Sequence, residues 1–208
     1  MIKAVIFDVD GVLIDSFEAN LKFFQDLMIY AGYQPPTREQ YLRMFHMNMM
    51  RVIQELVPDG TSEDHQRLWE MGRDRVVKHD SSLVKLPAGI NEVIAELDKT
   101  FKLGIVTSRV KTGVFEHPEL FKFKEYFKSV ISYEDTDKHK PDPEPLLLAA
   151  QQLEVEPSEC AYIGDTETDV VAAHAAGMKI VIYSDLQISG ADACTANFKD
   201  IPKRIDEL

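Results

Sequence analysis

The sequence predicts an α/β protein: a doubly wound, Rossmann-like parallel sheet with a small all-helical segment inserted after its first strand. Three observations predict it. Short apolar runs end repeatedly in polar turns bearing Asp or Gly, the texture of strands buried on both faces of a parallel sheet. These runs alternate with segments whose apolar residues recur at helical spacing, so the connections read as right-handed βαβ crossovers. One interval breaks the alternation, because about 65 residues after the first strand carry only helical patterns.

The first strand is Ala4-Val5-Ile6-Phe7, closed by Asp8-Val9-Asp10-Gly11. Phe17, Leu21, Phe24, Leu27, Met28 and Ala31 form one helix face, and Gly32 stops that helix. After Pro35-Pro36, Thr37 with Gln40 reads as a capping box opening a second helix that runs to Val57. A third helix is expected over 63–79, with Leu68, Trp69, Val76 and Val77 turned inward. The texture changes at Leu86-Pro87-Ala88-Gly89. Helix 88–98 then leads to a second strand, Lys102 to Val106, ending in Thr107-Ser108-Arg109. The segment 111–128 is helical in part and broken near Pro118, and Ser129 to Tyr133 is a third strand followed by a charged loop to Lys140-Pro141. Helix 143–153, strand 160–163, helix 168–176 ending at Gly177, strand 179–183, a short strand near 195–198 and a last short helix complete the chain. The expected division is a core of residues 1–15 and 83–208 around a helical segment, 16–82.

The totals are those of an ordinary water-soluble domain, with 45% hydrophobic and 28% charged residues. A net charge of −12 argues against nucleic acid and anionic membrane surfaces as partners. The two cysteines, Cys160 and Cys194, have no metal-ligand spacing and imply no disulfide framework, so a reducing, cytoplasmic setting is expected. No apolar run reaches the roughly 18 residues of a membrane span, and no leader is expected ahead of the first strand. The oligomeric state is left open.

Ligands of doubly wound sheets bind at the carboxyl ends of the strands, and this chain keeps its polar residues there. Asp8 and Asp10 follow the first strand, Thr107 and Ser108 the second, Lys140 lies beyond the third, and Asp165 and Asp169 follow the fourth. Two carboxylates one residue apart raise each other's pKa unless a cation or a donor holds them ionised. Asp8, Asp10 and Asp165 supply hard oxygen ligands suited to Mg²⁺ together with a substrate phosphate. Thr107 and the amide after it can bind phosphoryl oxygens, and Lys140 adds a point charge suited to phosphate. With cations neutralising both partners, one aspartate can attack phosphorus while the other serves as general acid and then base.

Asp8-Val9-Asp10-Gly11-Val12, Thr107-Ser108, Lys140-Pro141 and Gly164-Asp165-Thr166-Glu167-Thr168-Asp169 together resemble the four motifs of the haloacid dehalogenase-like hydrolase superfamily, in the same order. The segment Val171 to Met178 and the run Lys140 to Pro145 are similar to its capped phosphatases, notably phosphoglycolate phosphatases and pyrophosphatases. The resemblance implies a Mg²⁺-dependent phosphatase acting on a small phosphorylated metabolite through an aspartyl-phosphate. It makes Asp8 the nucleophile and metal ligand, and Asp10 the acid/base whose backbone carbonyl reaches the metal. Thr107, with Ser108, becomes the phosphate-binding position, Lys140 the stabilising lysine, Asp165 a metal ligand and Asp169 an outer-sphere one. Segment 16–82 becomes the cap. Asp10 disfavours dehalogenation, since dehalogenases of the superfamily lack an aspartate there. A β-phosphoglucomutase-like phosphotransferase is the runner-up, and a catalytically weak regulatory relative is the alternative from another class. A phospho-aspartate receiver domain is disfavoured by the chain's length.

The helical segment departs from its relatives at Met44-Phe45-His46-Met47-Asn48-Met49-Met50-Arg51. Its methionines and Phe45 read as core. Of His46, Asn48 and Arg51, Arg51 is the best candidate to grip a second anionic group of the substrate. Arg109 and His117 are expected at the rim of the site, in solvent.

Overall fold

A computed structural model describes residues 1–208. In chain order the elements are β1 (Ala4–Phe7), α1 (Phe17–Tyr30), α2 (Arg38–Leu42), α3 (Met49–Leu56), α4 (Ser62–Arg73), α5 (Ile90–Leu97), β2 (Lys102–Val106), α6 (Pro118–Phe121), β3 (Phe127–Ile131), α7 (Glu144–Leu153), β4 (Cys160–Gly164), α8 (Glu167–Ala175), β5 (Lys179–Tyr183), β6 (Ala193–Thr195) and α9 (Ile201–Asp206). No helix is long and apolar enough to cross a membrane.

The six strands form one sheet in the order β3-β2-β1-β4-β5-β6, and every pairing is parallel. The chain steps outward from β1 to β3, returns to place β4 on the other side of β1, and steps outward again. The order therefore reverses between β1 and β4, where a doubly wound sheet opens its ligand crevice. The register aligns the carboxyl ends there: Phe7 lies opposite Ile105 of β2 and Ile163 of β4.

β1 explains why its run is apolar without alternation. Its side chains point to opposite faces in turn, and both faces are covered. Val5 and Phe7 join a cluster of 24 buried residues that includes Ile94, Leu97 and Ile201. Ala4 and Ile6 join a second cluster of 17, with Leu146, Ala150 and Ala173. A charge in β1 has no solvent-facing side to occupy, so the first acidic residues come at Asp8 and Asp10.

Helices α1–α4 have their own hydrophobic cluster of 13 residues, centred on Phe24, Leu27, Met28, Tyr41, Ile53 and Leu68. Val110, from the loop after β2, is part of it. Two chain passages join this layer to the sheet. They pair at Asp15 and Lys85, whose backbones exchange N–H···O bonds of 2.8 and 3.0 Å.

Several boundaries differ from the sequence reading. The helix expected from Thr37 to Val57 is two helices, with α2 ending at Leu42. The Thr37 capping box is present, but Asn48 accepts the Arg51 N–H at 3.0 Å and starts α3 anew. Asn in mid-run competes with helical continuity by capping in this way. The helix expected over 63–79 stops at Arg73, because Arg75 takes a left-handed conformation with φ 55°; Val76 is then 43% exposed rather than inward. Pro118 starts α6 instead of breaking a helix, since its missing N–H costs nothing in the first turn. β3 begins two residues before the expected start, at Phe127, and β6 ends at Thr195.

Candidate active site

The site is built from the four strand ends. Asp8 directly follows β1, its N–H still in the ladder to the Ile163 carbonyl at 2.9 Å. One carboxylate oxygen accepts the Val9 N–H at 2.7 Å and the other accepts from Lys140 Nζ at 2.7 Å. Lys140 also donates to Asp169 at 2.8 Å and to the Tyr162 hydroxyl at 2.8 Å. An ammonium has three donors and no more, so Lys140 is fully committed. It is a buried cation, 6% exposed, whose pKa is raised well above the ordinary value: burial opposes its charge, but Asp169 and Asp8 overcome that penalty.

Asp169 is saturated in turn. Its Oδ2 accepts from the Asp165 and Thr166 amides at 3.1 and 3.0 Å and from the Thr166 hydroxyl at 2.7 Å, which forms the capping box of α8. Asp169 thereby fixes the turn that carries Asp165. Asp165 is the contrasting case, since no ion pair or donor compensates its carboxylate. Burial and the charges of Asp8 and Asp169 push its pKa up to about 8. Burial, with the charge of Asp169, likewise raises Asp8 to about 6 against the pull of Lys140.

One oxygen from each of Asp8, Asp165 and Asp169 lies within 4.8 Å of the others. Three carboxylates with a single ammonium among them leave an excess of negative charge, and a hard divalent cation fits this donor set. Gly11 is part of the same geometry. It adopts φ +78°, and a Cβ there would fall 2.0 Å from Asp165 Oδ2, so the turn after β1 needs the residue without a side chain.

Asp10 faces away from this cluster. Arg109 donates from Nε and Nη2 to its two oxygens, both at 2.7 Å. Asn20 Nδ2 donates at 3.2 Å, and the Ser16 hydroxyl donates as well. Burial alone would raise the Asp10 pKa, but the charge and hydrogen bonds of Arg109, with Ser16 and Asn20, bring it down to about 2. Asn20 also accepts from His79 Nε2 at 2.9 Å. The Nδ1 of His79 is buried without a hydrogen-bond partner, 3.5 Å from Glu116, which pairs with Arg75 at 2.7 Å.

These groups open on one cavity of about 640 Å³, walled by α1, α3 and their loops on one side and by the strand ends on the other. Asp8, Asp10, Ser108, Lys140 and Asp165 line it, as do His46, Asn48 and Arg51 from the helical layer. Thr107 is buried just beneath, its hydroxyl accepting the Arg109 N–H at 3.2 Å. The cavity wall carries five Lys or Arg and five Asp or Glu side chains, so it is near neutral in a chain of net charge −12. Asn48 is committed to capping α3, whereas the Arg51 side chain has no ion-pair partner. His117 caps α6, accepting the Glu119 N–H at 3.2 Å.

One expectation is overturned. Arg109 is not a solvated rim residue: its side chain is 11% exposed and locked on Asp10. Its burial and that of His79 went unread because their partners are distant in sequence. Tyr162 was also missed, as it sits inside an apolar strand and its hydroxyl is hidden in that pattern.

Carboxylates, a buried lysine and a hydroxyl at the switch point of a parallel sheet define a hydrolytic enzyme of the phosphoryl-transfer kind. The sequence profile of the haloacid dehalogenase-like hydrolases matches residues 5–183, and the chain belongs to that family. It is similar to the pyrophosphatase PpaX of Bacillus cereus (strain Q1), being 32% identical over 188 residues that cover 88% of this chain and 83% of the relative. It also resembles the crystal structure of a HAD-superfamily hydrolase, subfamily IA, variant 1, from Geobacter sulfurreducens. That match has a TM-score of 0.71 at 30% identity and covers 97% of this chain and 95% of that one. A β-phosphoglucomutase from Clostridium difficile superposes with a TM-score of 0.79 over 100% of this chain and 98% of its own, but at 19% identity it speaks to the fold alone.

Proposed function

We propose that this chain is a Mg²⁺-dependent phosphatase that cleaves a small phosphorylated metabolite, a phosphoglycolate-type monoester or pyrophosphate, through an aspartyl-phosphate on Asp8. The observation that carries the reading is the uncompensated Asp165 carboxylate beside Asp8, within 4.8 Å oxygen to oxygen. Asp8 and Asp165, with the backbone carbonyl of Asp10, would hold the metal and Asp169 would brace them. Bound there, Mg²⁺ supplies charge neutralisation between a carboxylate nucleophile and a phosphate dianion.

The residues divide the work as follows. Thr107 and Ser108 seat the phosphoryl oxygens, and Lys140 keeps Asp8 ionised and oriented. A carboxylate oxygen of Asp8 attacks phosphorus, and the bond from phosphorus to the leaving oxygen breaks with its electron pair going to that oxygen. Asp10 is ionised while Arg109 holds it; where the leaving oxygen needs a proton, Asp10 first leaves that contact and takes one up from solvent, then gives it. In the second step a water oxygen attacks phosphorus, its proton passes to Asp10, and the bond to Asp8 breaks to release phosphate. Helices α1–α4 act as the cap that closes on this site, with Arg51 reaching toward the far end of the substrate.

A panel of phosphate monoesters and pyrophosphate, assayed with Mg²⁺, tests the reading. Wild type is expected to turn over at least one member, and Asp8→Asn to lose the activity by about 10⁴-fold or more. Wild-type rates in Asp8→Asn, or no turnover of any member by the wild type, would remove it.

A further inference from the structure

The end of the cavity beyond Asp10 holds a pair of guanidinium groups. Arg109 lies over Asp10 with both contacts at 2.7 Å, and its Nη1 donates to the Gly113 carbonyl at 2.9 Å. Arg75 lies on the other side of Gly113: a Cβ on that glycine would fall 2.6 Å from Arg75 Nη2. Both arginines line the cavity, and both have a carboxylate partner from this chain, Asp10 for one and Glu116 for the other. A guanidinium carries five N–H donors, and Arg109 uses three, so two remain for an incoming acceptor.

Arg109 also belongs to the loop that seats the phosphoryl group. It is the second residue after Thr107, and its amide is bonded to the Thr107 hydroxyl at 3.2 Å. Phosphoryl seat, acid/base and guanidinium are thus tied together, with Arg109 on the side where the leaving group departs. Drawing Asp10 out of a bidentate ion pair is unfavourable unless another anion takes its place. A substrate whose leaving portion bears a phosphate or a carboxylate provides that replacement. A neutral alcohol does not, and it meets a guanidinium still occupied by Asp10.

We infer that Arg109 is the leaving-group specificity residue of this enzyme. It transfers its two-point contact from Asp10 to an anionic group on the leaving portion of the substrate, selecting doubly anionic substrates and freeing the Asp10 carboxylate only when one is bound. This rests on the phosphatase reading above and adds to it the chemistry of the leaving group.

The test compares substrates that share the transferred phosphoryl group. 2-Phosphoglycolate is set against 2-hydroxyethyl phosphate, which has a similar size and a neutral leaving group, and 1,3-propanediol bisphosphate against 3-hydroxypropyl phosphate, with Mg²⁺ throughout, so that every leaving atom is an alcohol oxygen. The first pair reads a carboxylate and the second a phosphate. Wild type is expected to favour the anionic member of at least one pair by about 100-fold in kcat/KM. Arg109→Leu is expected to bring that ratio near one from both sides: a loss on the anionic substrate, showing as a raised KM, and a gain on the neutral one, for which Asp10 is no longer held. Arg109→Lys should recover part of the preference, and thermal melts of both variants establish that they are folded. Equal losses on both members of each pair would make Arg109 only a support for Asp10 and overturn the inference, as would a wild-type ratio near one in both pairs. Absence of wild-type turnover on all four substrates and on the wider panel would instead remove the phosphatase reading, and this inference with it.

Discussion

Asp8 and Asp10 stand one residue apart, yet their carboxyl groups are driven in opposite directions, to about 6 and about 2. Asp8 is buried and Asp10 half-buried, and removal from water pushes each upward. The difference lies in their partners. Asp8 shares the single charge of Lys140 with Asp169, while Asp10 has the whole guanidinium of Arg109 with Ser16 and Asn20 besides. Groups whose surroundings push their pKa values apart in one cleft mark a division of chemical roles. Strand alternation would leave Asp8 and Asp10 on one face. The chain instead leaves β1 at Phe7 and turns through Val9 to Gly11, so the first side chain meets the Asp165 and Asp169 cluster and the second meets Arg109, Ser16 and Asn20.

Lys140→Met is expected to destabilise the fold as well as abolish activity. The ammonium is the only ion-pair partner of Asp8 and Asp169, and removing it leaves two buried carboxylates facing each other. Loss of one member of a buried pair costs about 3–5 kcal/mol. Urea unfolding at pH 7 without divalent cation measures it, and a change below about 1 kcal/mol would mean that the pair is far better solvated than its 6% exposure indicates.

Mg²⁺ should raise the melting temperature of the wild type. A ligand that binds only the folded state stabilises it by about 2.7 kcal/mol at 100 times its Kd, and relief of the Asp165 charge is the source here. Asp165→Asn should show little or no such shift. An equal rise in variant and wild type would place the ion elsewhere.

What could be read in the sequence was whatever sits directly at a strand end. Asp8, Thr107 and Asp165 are fixed by the backbone register alone, since a parallel strand that must be apolar on both faces leaves its first polar residue at the mouth of the sheet. Lys140 could be read through the company it keeps with Pro141. Arg109 could not be placed, because nothing local separates a loop arginine in solvent from one that reaches a carboxylate 99 residues away. His79 lies past the end of α4 and meets Asn20 only through packing of the helical layer, 59 residues back. The break before Asn48 was obscured for a different reason: the flanking methionines keep the segment apolar, while the capping bond that restarts the helix is one side-chain contact.

Gly11→Ala tests how closely the first and fourth motifs are fitted. The left-handed backbone at φ +78° costs a residue with a side chain about 1 kcal/mol. The new methyl would also fall 2.0 Å from Asp165 Oδ2, so that carboxylate must move. Metal affinity is expected to drop by about 10- to 100-fold, more than the small stability loss alone implies. Calorimetric titration with Mg²⁺ reads the first and thermal unfolding the second; unchanged affinity would show that Asp165 is free to relax.

His79 predicts how stability changes with pH. Burial, reinforced by the charges of Arg109 and Arg75, lowers its pKa to about 4, while in the unfolded chain it titrates near the ordinary value of about 6.5. Between these values the unfolded chain binds a proton that the folded one refuses. Stability therefore falls as pH is lowered from about 6.5 toward 4, by at most about 3 kcal/mol at one unit per 1.36 kcal/mol. Asp8 and Asp165 act in the opposite sense, since their raised values make the folded state bind protons first. They are common to the wild type and to His79→Gln, so the difference between the two proteins isolates the histidine. The glutamine variant, which can still donate to Asn20, should lose stability less steeply below pH 6.5 than the wild type. Parallel urea midpoints for the two proteins at pH 7, 6 and 5 would show that His79 takes up its proton freely and that Glu116, 3.5 Å from its bare nitrogen, already supplies the charge to hold it.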